Sequence, residues 1–129
     1  MKADILFKIT GWEEETVSEF NERGKLTRAH VGKSYSGKLE GEGRVEYLML
    51  YRSDGTADFV GYESVKAVLN GKEGGFVFEH RGHFKEGKVD GTWTIVKESG
   101  TGALAGITGS VRFSEGHKEE YEITLDYEL

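Results

Sequence analysis

The chain has 129 residues, enough for one domain with its own core, and we predict a single domain over residues 1–129. It contains no cysteine, so disulfides, zinc-thiolate sites and cysteine nucleophiles are excluded. Asp and Glu number 23 against 17 Lys and Arg, and the net charge of -6, with basic residues scattered along the chain, argues against a nucleic-acid partner.

The N-terminal residues Met1 to Thr10 alternate charged and apolar side chains. A secretory signal instead begins with basic residues and continues with an unbroken apolar run. No window of the chain approaches the roughly 20 apolar residues of a membrane-spanning helix. We therefore expect a soluble, cytoplasmic protein without a membrane partner.

Alternation of apolar and polar residues indicates β-strands along most of the chain. The first predicted strand carries Ala3, Ile5, Phe7 and Ile9 on one face. The eight predicted strands lie at residues 2–11, 26–39, 43–52, 57–69, 73–86, 88–98, 107–115 and 119–128.

The segment from Trp12 to Gly24 interrupts this pattern, because three consecutive glutamates precede Val17 and Phe20. It fits a short helix with acidic residues at its positive end, or an extended connection whose aromatic residues cover one mouth of the fold. The sequence favours the extended connection.

Glycine marks the turns of this chain, with 19 glycines and no proline. Asp54-Gly55 and Asn70-Gly71 are dipeptides that tolerate the positive φ angles of a tight type I′ hairpin. The resulting spacing of 14 to 16 residues is typical of long antiparallel hairpins. The turn signals centre on Gly41, Gly55, Gly71, Gly87, Gly100 to Gly102 and Gly116.

Eight long antiparallel strands in a meander leave two exposed sheet edges unless the sheet closes. We therefore predict an all-β fold, an eight-stranded antiparallel meander closed into a barrel. An eight-stranded barrel has an interior that side chains can fill or that can hold one small ligand, and composition does not decide between them.

The glycine-rich stretch from Ser99 to Gly109 resembles a signature that precedes a late strand in dirigent and allene oxide cyclase-like barrels. This stretch and several other segments resemble, in their order and spacing, the bacterial family catalogued as domain of unknown function 3224. These segments are Gly41-Glu42-Gly43, Glu46-Tyr47-Leu48-Met49, Asp54-Gly55-Thr56-Ala57, Phe59-Val60-Gly61, and Gly75-Phe76-Val77-Phe78 with His80 and Gly82.

The resemblance runs from about Leu26 to the C-terminus. It implies an allene oxide cyclase-like, calycin-like barrel and implies no activity, since relatives of this fold include a cyclase, coupling-directing proteins and spirocyclases. The glutamate-rich segment from Trp12 to Arg23 replaces a loop that is usually richer in glycine, so no role of that loop carries over.

His80 is the first candidate catalytic residue. Phe76, Phe78, His80, Gly82 and Phe84 lie on one face of a predicted strand, which should turn toward the core. Burial favours the neutral imidazole, which can act as a base or as a hydrogen-bond partner. The alternative is a structural histidine satisfied by a neighbouring side chain.

Glu63 and Glu46 are the other candidate catalytic residues. Glu63 shares a strand face with apolar residues, where a carboxylate must be paired, hydrogen-bonded or protonated. The strand that holds Glu46 is apolar on both faces, so its sequence does not decide where Glu46 points. If all three residues face inward, neighbouring strands would build one polar cluster able to transfer a proton.

We predict three alternative functions. The first is binding of a small apolar or aromatic molecule inside the barrel. The second is an isomerase or cyclase that uses the His/Glu pair, and the third is a non-catalytic homo-oligomeric scaffold. No metal site or cofactor is predicted, and the aromatic residues could equally be barrel packing. The candidate ligand-binding residues are Phe76, Phe78, Phe84, Phe59, Tyr62 and Trp93.

Overall fold

A computed structural model describes all residues, 1–129. It contains eight long strands and one of two residues, and no helix. The strands are β1 (Lys2–Glu19), β2 (Lys25–Gly37), β3 (Leu39–Tyr51), β4 (Ala57–Leu69), β5 (Lys72–Lys85), β6 (Lys88–Ile95), β7 (Thr101–Gly102), β8 (Thr108–Glu115) and β9 (Tyr121–Glu128).

The long strands form one antiparallel sheet in the order β4-β3-β2-β1-β9-β8-β6-β5. Pairing of β4 with β5, from Ala57 opposite Phe84 to Leu69 opposite Lys72, closes the sheet into a barrel. This confirms the predicted all-β fold of eight antiparallel strands. No segment forms a helix with the length and apolar character needed to cross a membrane.

The turn between β4 and β5 has the predicted geometry, because Asn70 and Gly71 have φ angles of 47° and 81°. The prediction for Asp54-Gly55 is wrong. Only Gly55 has a positive φ there, and the Asp54 carboxylate instead accepts hydrogen bonds from the backbone N–H and hydroxyl of Thr56. The loop is thus longer than a two-residue hairpin turn.

A second correction concerns Gly41, which lies inside β3 rather than at a turn. The turn between β2 and β3 is at Gly37, whose φ is 90°. A Cβ atom on Gly41 would lie 2.2 Å from the carbonyl oxygen of Lys66. Glycine is therefore needed at position 41 for close contact between strands.

The segment after Trp12 is extended, as favoured from the sequence, and the helical alternative is wrong. β1 continues to Glu19 and pairs with β2 as far as Lys25. Its pairing with β9 ends at Phe7, so residues 8–19, here called the β1 extension, project beyond the closed barrel. A register shift between Ile9 and Gly11 marks the start of this projection.

One end of the barrel is filled by the main hydrophobic core. The connection between β6 and β8 covers this end, and it is fixed by pairing of β7 with Gly74 and Gly75 of β5. Leu104 and Ile107 of that connection are completely buried. The opposite end, beside the β1 extension, stays open and holds the candidate site.

Candidate functional site

The open end of the barrel contains a cavity of about 330 Å³. Fourteen of its 16 lining residues are hydrophobic, as is typical of sites that bind small organic molecules. The aromatic part of the wall is formed by Phe7, Trp12, Tyr47, Tyr51, Phe59, Phe84, Trp93, Phe113 and Tyr121.

A cluster of polar side chains lies in the barrel interior around Glu63, which is fully buried. One carboxylate oxygen of Glu63, Oε1, is 3.2 Å from Lys33 Nζ and 2.7 Å from His80 Nε2. The hydroxyl of Tyr35 donates a hydrogen bond of 2.5 Å to the other oxygen, Oε2. A buried carboxylate with a cationic partner and several donors avoids the cost of an unpaired charge.

Glycines on neighbouring strands make room for this cluster. In the β2–β3 pairing Lys33 lies opposite Gly43, and a Cβ atom on Gly43 would lie 2.0 Å from Glu63 Oε2. In the next row Gly61 stands between Tyr47 of β3 and His80 of β5. Because neither glycine has a side chain, the polar groups meet across the strand that separates them.

His80 connects Glu63 to a tyrosine. Its Nδ1 atom is 3.2 Å from the hydroxyl of Tyr47, and the two rings meet edge to face. Glu63 is ionised, so its carboxylate only accepts hydrogen bonds and His80 must donate from Nε2. The Nδ1 atom of His80 then accepts a hydrogen bond from the Tyr47 hydroxyl. Glu63, His80 and Tyr47 thus form a continuous hydrogen-bonded chain.

Charge and burial set the protonation states of the cluster. Burial by itself raises the pKa of Glu63, but the Lys33 charge and the hydrogen bonds from His80 and Tyr35 outweigh it, so the pKa lies below its usual value. Burial lowers the pKa of His80, against the opposing effect of Glu63. Burial raises the pKa of Tyr47. At neutral pH the cluster therefore contains a carboxylate, a neutral imidazole and a neutral phenol.

Only two members of the cluster line the cavity, namely Lys33 and Tyr47. Glu63 and His80 lie behind them and have no exposed surface. Lys33 Nζ is 3.8 Å from the centre of the Trp93 ring and 4.8 Å from that of Phe7. The ammonium therefore also makes cation–π interactions with these two rings. Lys33 and Tyr47 are thus the members of the cluster that a ligand in the cavity would contact.

The β1 extension covers part of the cavity mouth. Trp12 lines the cavity, is 47% exposed, and stacks on Tyr47 with ring centres 6.3 Å apart. Its indole N–H donates to Glu14, which also accepts hydrogen bonds of 2.6 Å from the hydroxyls of Thr27 and Tyr51. Glu14 therefore ties the extension to β2 and β3, and burial together with this hydrogen bond raises the pKa of Tyr51 to about 12.

The structure brings together two of the three predicted catalytic residues. His80 and Glu63 face the interior and are hydrogen-bonded to each other, as expected for neighbouring strands. Glu46 is not part of the cluster, because its side chain lies on the outer face of β3, 62% exposed and 2.8 Å from His30 Nδ1. The predicted three-residue cluster is thus corrected to exclude Glu46.

The predicted ligand-binding residues divide into three groups. Phe59, Phe84 and Trp93 line the cavity. Phe76 and Phe78 face inward but lie in the core beneath the cavity and do not line it. Tyr62 is on the outer face, 57% exposed, where its hydroxyl donates to Glu79. Because successive side chains of β4 point to opposite faces of the sheet, Tyr62 points outward where Glu63 points inward.

Lys33, Tyr35 and Tyr47 are members of the site that were not predicted from the sequence. A signal for Lys33 and Tyr35 exists in the sequence, because both continue the buried row that begins with Thr27, Ala29 and Val31. A lysine in such a row requires a buried counter-charge, and Glu63 supplies it. No group of three or more His, Cys, Asp or Glu side chains is positioned to hold a metal ion.

Comparison with known proteins identifies relatives by sequence and by fold. A family model described as "Protein of unknown function (DUF3224)" matches residues 4–127. A crystal structure of a DUF3224-family protein of unknown function from Shewanella oneidensis MR-1 is 25% identical, with complete coverage of both chains (100%) and a TM-score of 0.75. Comparison with curated proteins gave no match. The broader likeness to allene oxide cyclase stays a prediction, whereas the family match spans almost the whole chain, which therefore belongs to the DUF3224 family.

Proposed function

We propose that this barrel binds a small, mainly apolar or aromatic molecule in the cavity at its open end. The observation that carries the proposal is a cavity of about 330 Å³ with hydrophobic walls and two polar groups, Lys33 and Tyr47, at its inner surface. The apolar walls would supply affinity, and the two polar groups would orient the ligand.

Titration with the neutral apolar dye N-phenyl-1-naphthylamine tests this proposal. Dye fluorescence should rise and saturate at one dye per chain. Ala57, which lines the cavity and is buried, allows the cavity to be filled by Ala57→Leu. This variant should weaken binding by about tenfold or more, since one or two lost apolar contacts of this size change affinity on that scale.

Ala103→Leu provides the matched control, because the same substitution falls on an exposed residue outside the cavity. It should bind the dye like the original protein. Dye binding that does not saturate, or that is equal in the Ala57→Leu variant and the original protein, would contradict the proposal and indicate adsorption to the surface.

An isomerase or cyclase is the second candidate function. It is favoured by the 2.7 Å hydrogen bond between Glu63 and His80 beside an apolar cavity, since such pairs transfer protons in enzymes. His80→Gln should remove turnover of a bound substrate while the circular-dichroism spectrum stays unchanged. Loss of the fold together with turnover would instead indicate a structural role for the pair.

A homo-oligomeric scaffold is the third candidate. Leu48, Val60 and Tyr62 form an exposed apolar patch on the outer face of β3 and β4. A stable oligomer would bury this patch between two copies of the chain. Light scattering after size-exclusion chromatography tests this, and a monomer at micromolar concentration would count against it.

A further inference from the structure

We infer that the cavity takes carbonyl compounds and catalyses proton transfer at the carbon next to the carbonyl, with Tyr47 moving the proton and Lys33 holding the carbonyl oxygen. This inference rests on the proposed ligand-binding function and adds a substrate class and residue roles to it. It differs from a simple His/Glu pair because His80 does not reach the cavity.

Tyr47 stands at the cavity end of the hydrogen-bonded chain. Glu63 Oε1 is 2.7 Å from His80 Nε2, and His80 Nδ1 is 3.2 Å from the Tyr47 hydroxyl. In enzymes that use a carboxylate, an imidazole and a hydroxyl in this order, the imidazole takes the proton of the hydroxyl, which here would let Tyr47 pass its proton to His80. Tyr47 and Lys33 are therefore the groups that would touch substrate, and His80 and Glu63 are positioning residues.

The proton transfer balances without any added reagent. A C–H bond next to the carbonyl breaks, its proton goes to the Tyr47 oxygen, and the hydroxyl proton of Tyr47 moves to His80 Nδ1. The electron pair of the C–H bond forms a carbon–carbon double bond, and the π electron pair of the carbonyl moves to its oxygen, which gives an enolate. Glu63 stabilises the imidazolium, and Tyr47 remains a neutral phenol throughout. Return of the proton to the same or another carbon gives the original compound or its isomer.

Lys33 supplies the charge that an enolate oxygen needs. It is the only charged residue that lines the cavity. Its ammonium has three N–H groups, of which one is directed to Glu63, and its side chain is only 3% exposed. A preorganised and largely buried cation stabilises developing negative charge far better than one in solution.

The probe for this inference is 2-tetralone, a small ketone with acidic C–H groups on both sides of the carbonyl. Loss of its proton signals in D₂O is followed by NMR. The protein should accelerate exchange over buffer by about 100-fold or more, and Tyr47→Phe should remove most of that acceleration, since one positioned acid–base group contributes on this scale. Tyr62→Phe, on the outer face, is the matched control and should exchange like the original protein.

A second variant separates positioning from structure. His80→Gln should lower kcat for exchange while leaving KM for 2-tetralone unchanged, whereas collapse of the site would change both. N-phenyl-1-naphthylamine binding confirms that each variant keeps its cavity.

These measurements distinguish failure of the carbonyl inference from failure of the binding proposal. If the dye binds but 2-tetralone does not bind, or binds without exchange, the carbonyl inference is overturned and the binding function stands. Exchange that Tyr47→Phe leaves unchanged also overturns the inference. If neither compound binds, both proposals fail.

Discussion

Gly43 leaves open the space that the carboxylate of Glu63 occupies. A Cβ atom at position 43 would lie 2.0 Å from Glu63 Oε2 and 2.9 Å from a ring carbon of Tyr35. Glu63 is unable to move aside cheaply, because Lys33, His80 and Tyr35 hold its two oxygens. Thus the buried charge depends on a residue that has no side chain.

Gly43→Ala should therefore lower the free energy of unfolding by about 1–3 kcal/mol, which is the usual cost of overpacking a core. Urea denaturation measures this change. Gly11→Ala is the matched control, since Gly11 is in a strand and a Cβ atom there meets nothing within 4 Å. Equal stability of the two variants would contradict the packing argument.

Glu63→Gln should destabilise the protein by about 3–5 kcal/mol, because it leaves the Lys33 ammonium buried without its counter-charge. Glu46→Gln removes an exposed glutamate near His30 and should change stability by less than about 0.5 kcal/mol. Adding Lys33→Met to Glu63→Gln should recover part of the loss, and strict additivity of the two substitutions would count against a coupled pair.

Acid should destabilise the protein through His80. Its pKa is lowered from 6.5 to about 4, first by burial and also by the Lys33 charge, with Glu63 opposing. The unfolded chain therefore binds a proton below pH 6.5 that the folded protein does not accept until about pH 4, so stability falls as pH decreases across this range. The loss by pH 4 should be about 3 kcal/mol.

Urea denaturation at several pH values measures this loss. Between pH 6.5 and about 5.5, the free energy of unfolding of His80→Gln should change less with pH than that of the original protein, because Glu63, with an ordinary pKa of 4.5, takes up a proton in the unfolded chain only below this range. Nitrogen NMR of His80 at pH 7 should show a neutral ring protonated at Nε2. A charged ring at pH 7 would refute the assignment of His80 Nδ1 as the acceptor of the hydrogen bond from the Tyr47 hydroxyl.

Trp12→Ala should widen the mouth of the cavity. Trp12 lines the cavity and stacks on Tyr47, yet it is 47% exposed, so its removal should cost less than about 1 kcal/mol of unfolding free energy. Stopped-flow fluorescence should show faster dissociation of N-phenyl-1-naphthylamine. Phe20→Ala, also exposed and outside the cavity, should release the dye at the original rate.

Alternation and turn chemistry were sufficient to predict the strands and the inward direction of His80. They failed at Gly41, where glycine allows close contact between strands and does not mark a turn. They also failed at Asp54, whose side chain shapes the loop through its hydrogen bonds. The β1 extension was predicted to be extended, but its pairing with β2 as far as Glu19 was not, because the residues of one strand do not show its register with the next.

The all-β barrel follows from the sequence alone, because period-two patterns and glycine turns act locally. The apolar neighbours of Glu63 on its strand face likewise require that its carboxylate be paired, hydrogen-bonded or protonated. Which side chains meet it is visible only in the folded barrel. Lys33, Tyr47 and His80 come from three different strands, and their contacts require the strand register and the missing side chains of Gly43 and Gly61. Register is a property of the closed sheet, so no single strand reveals it.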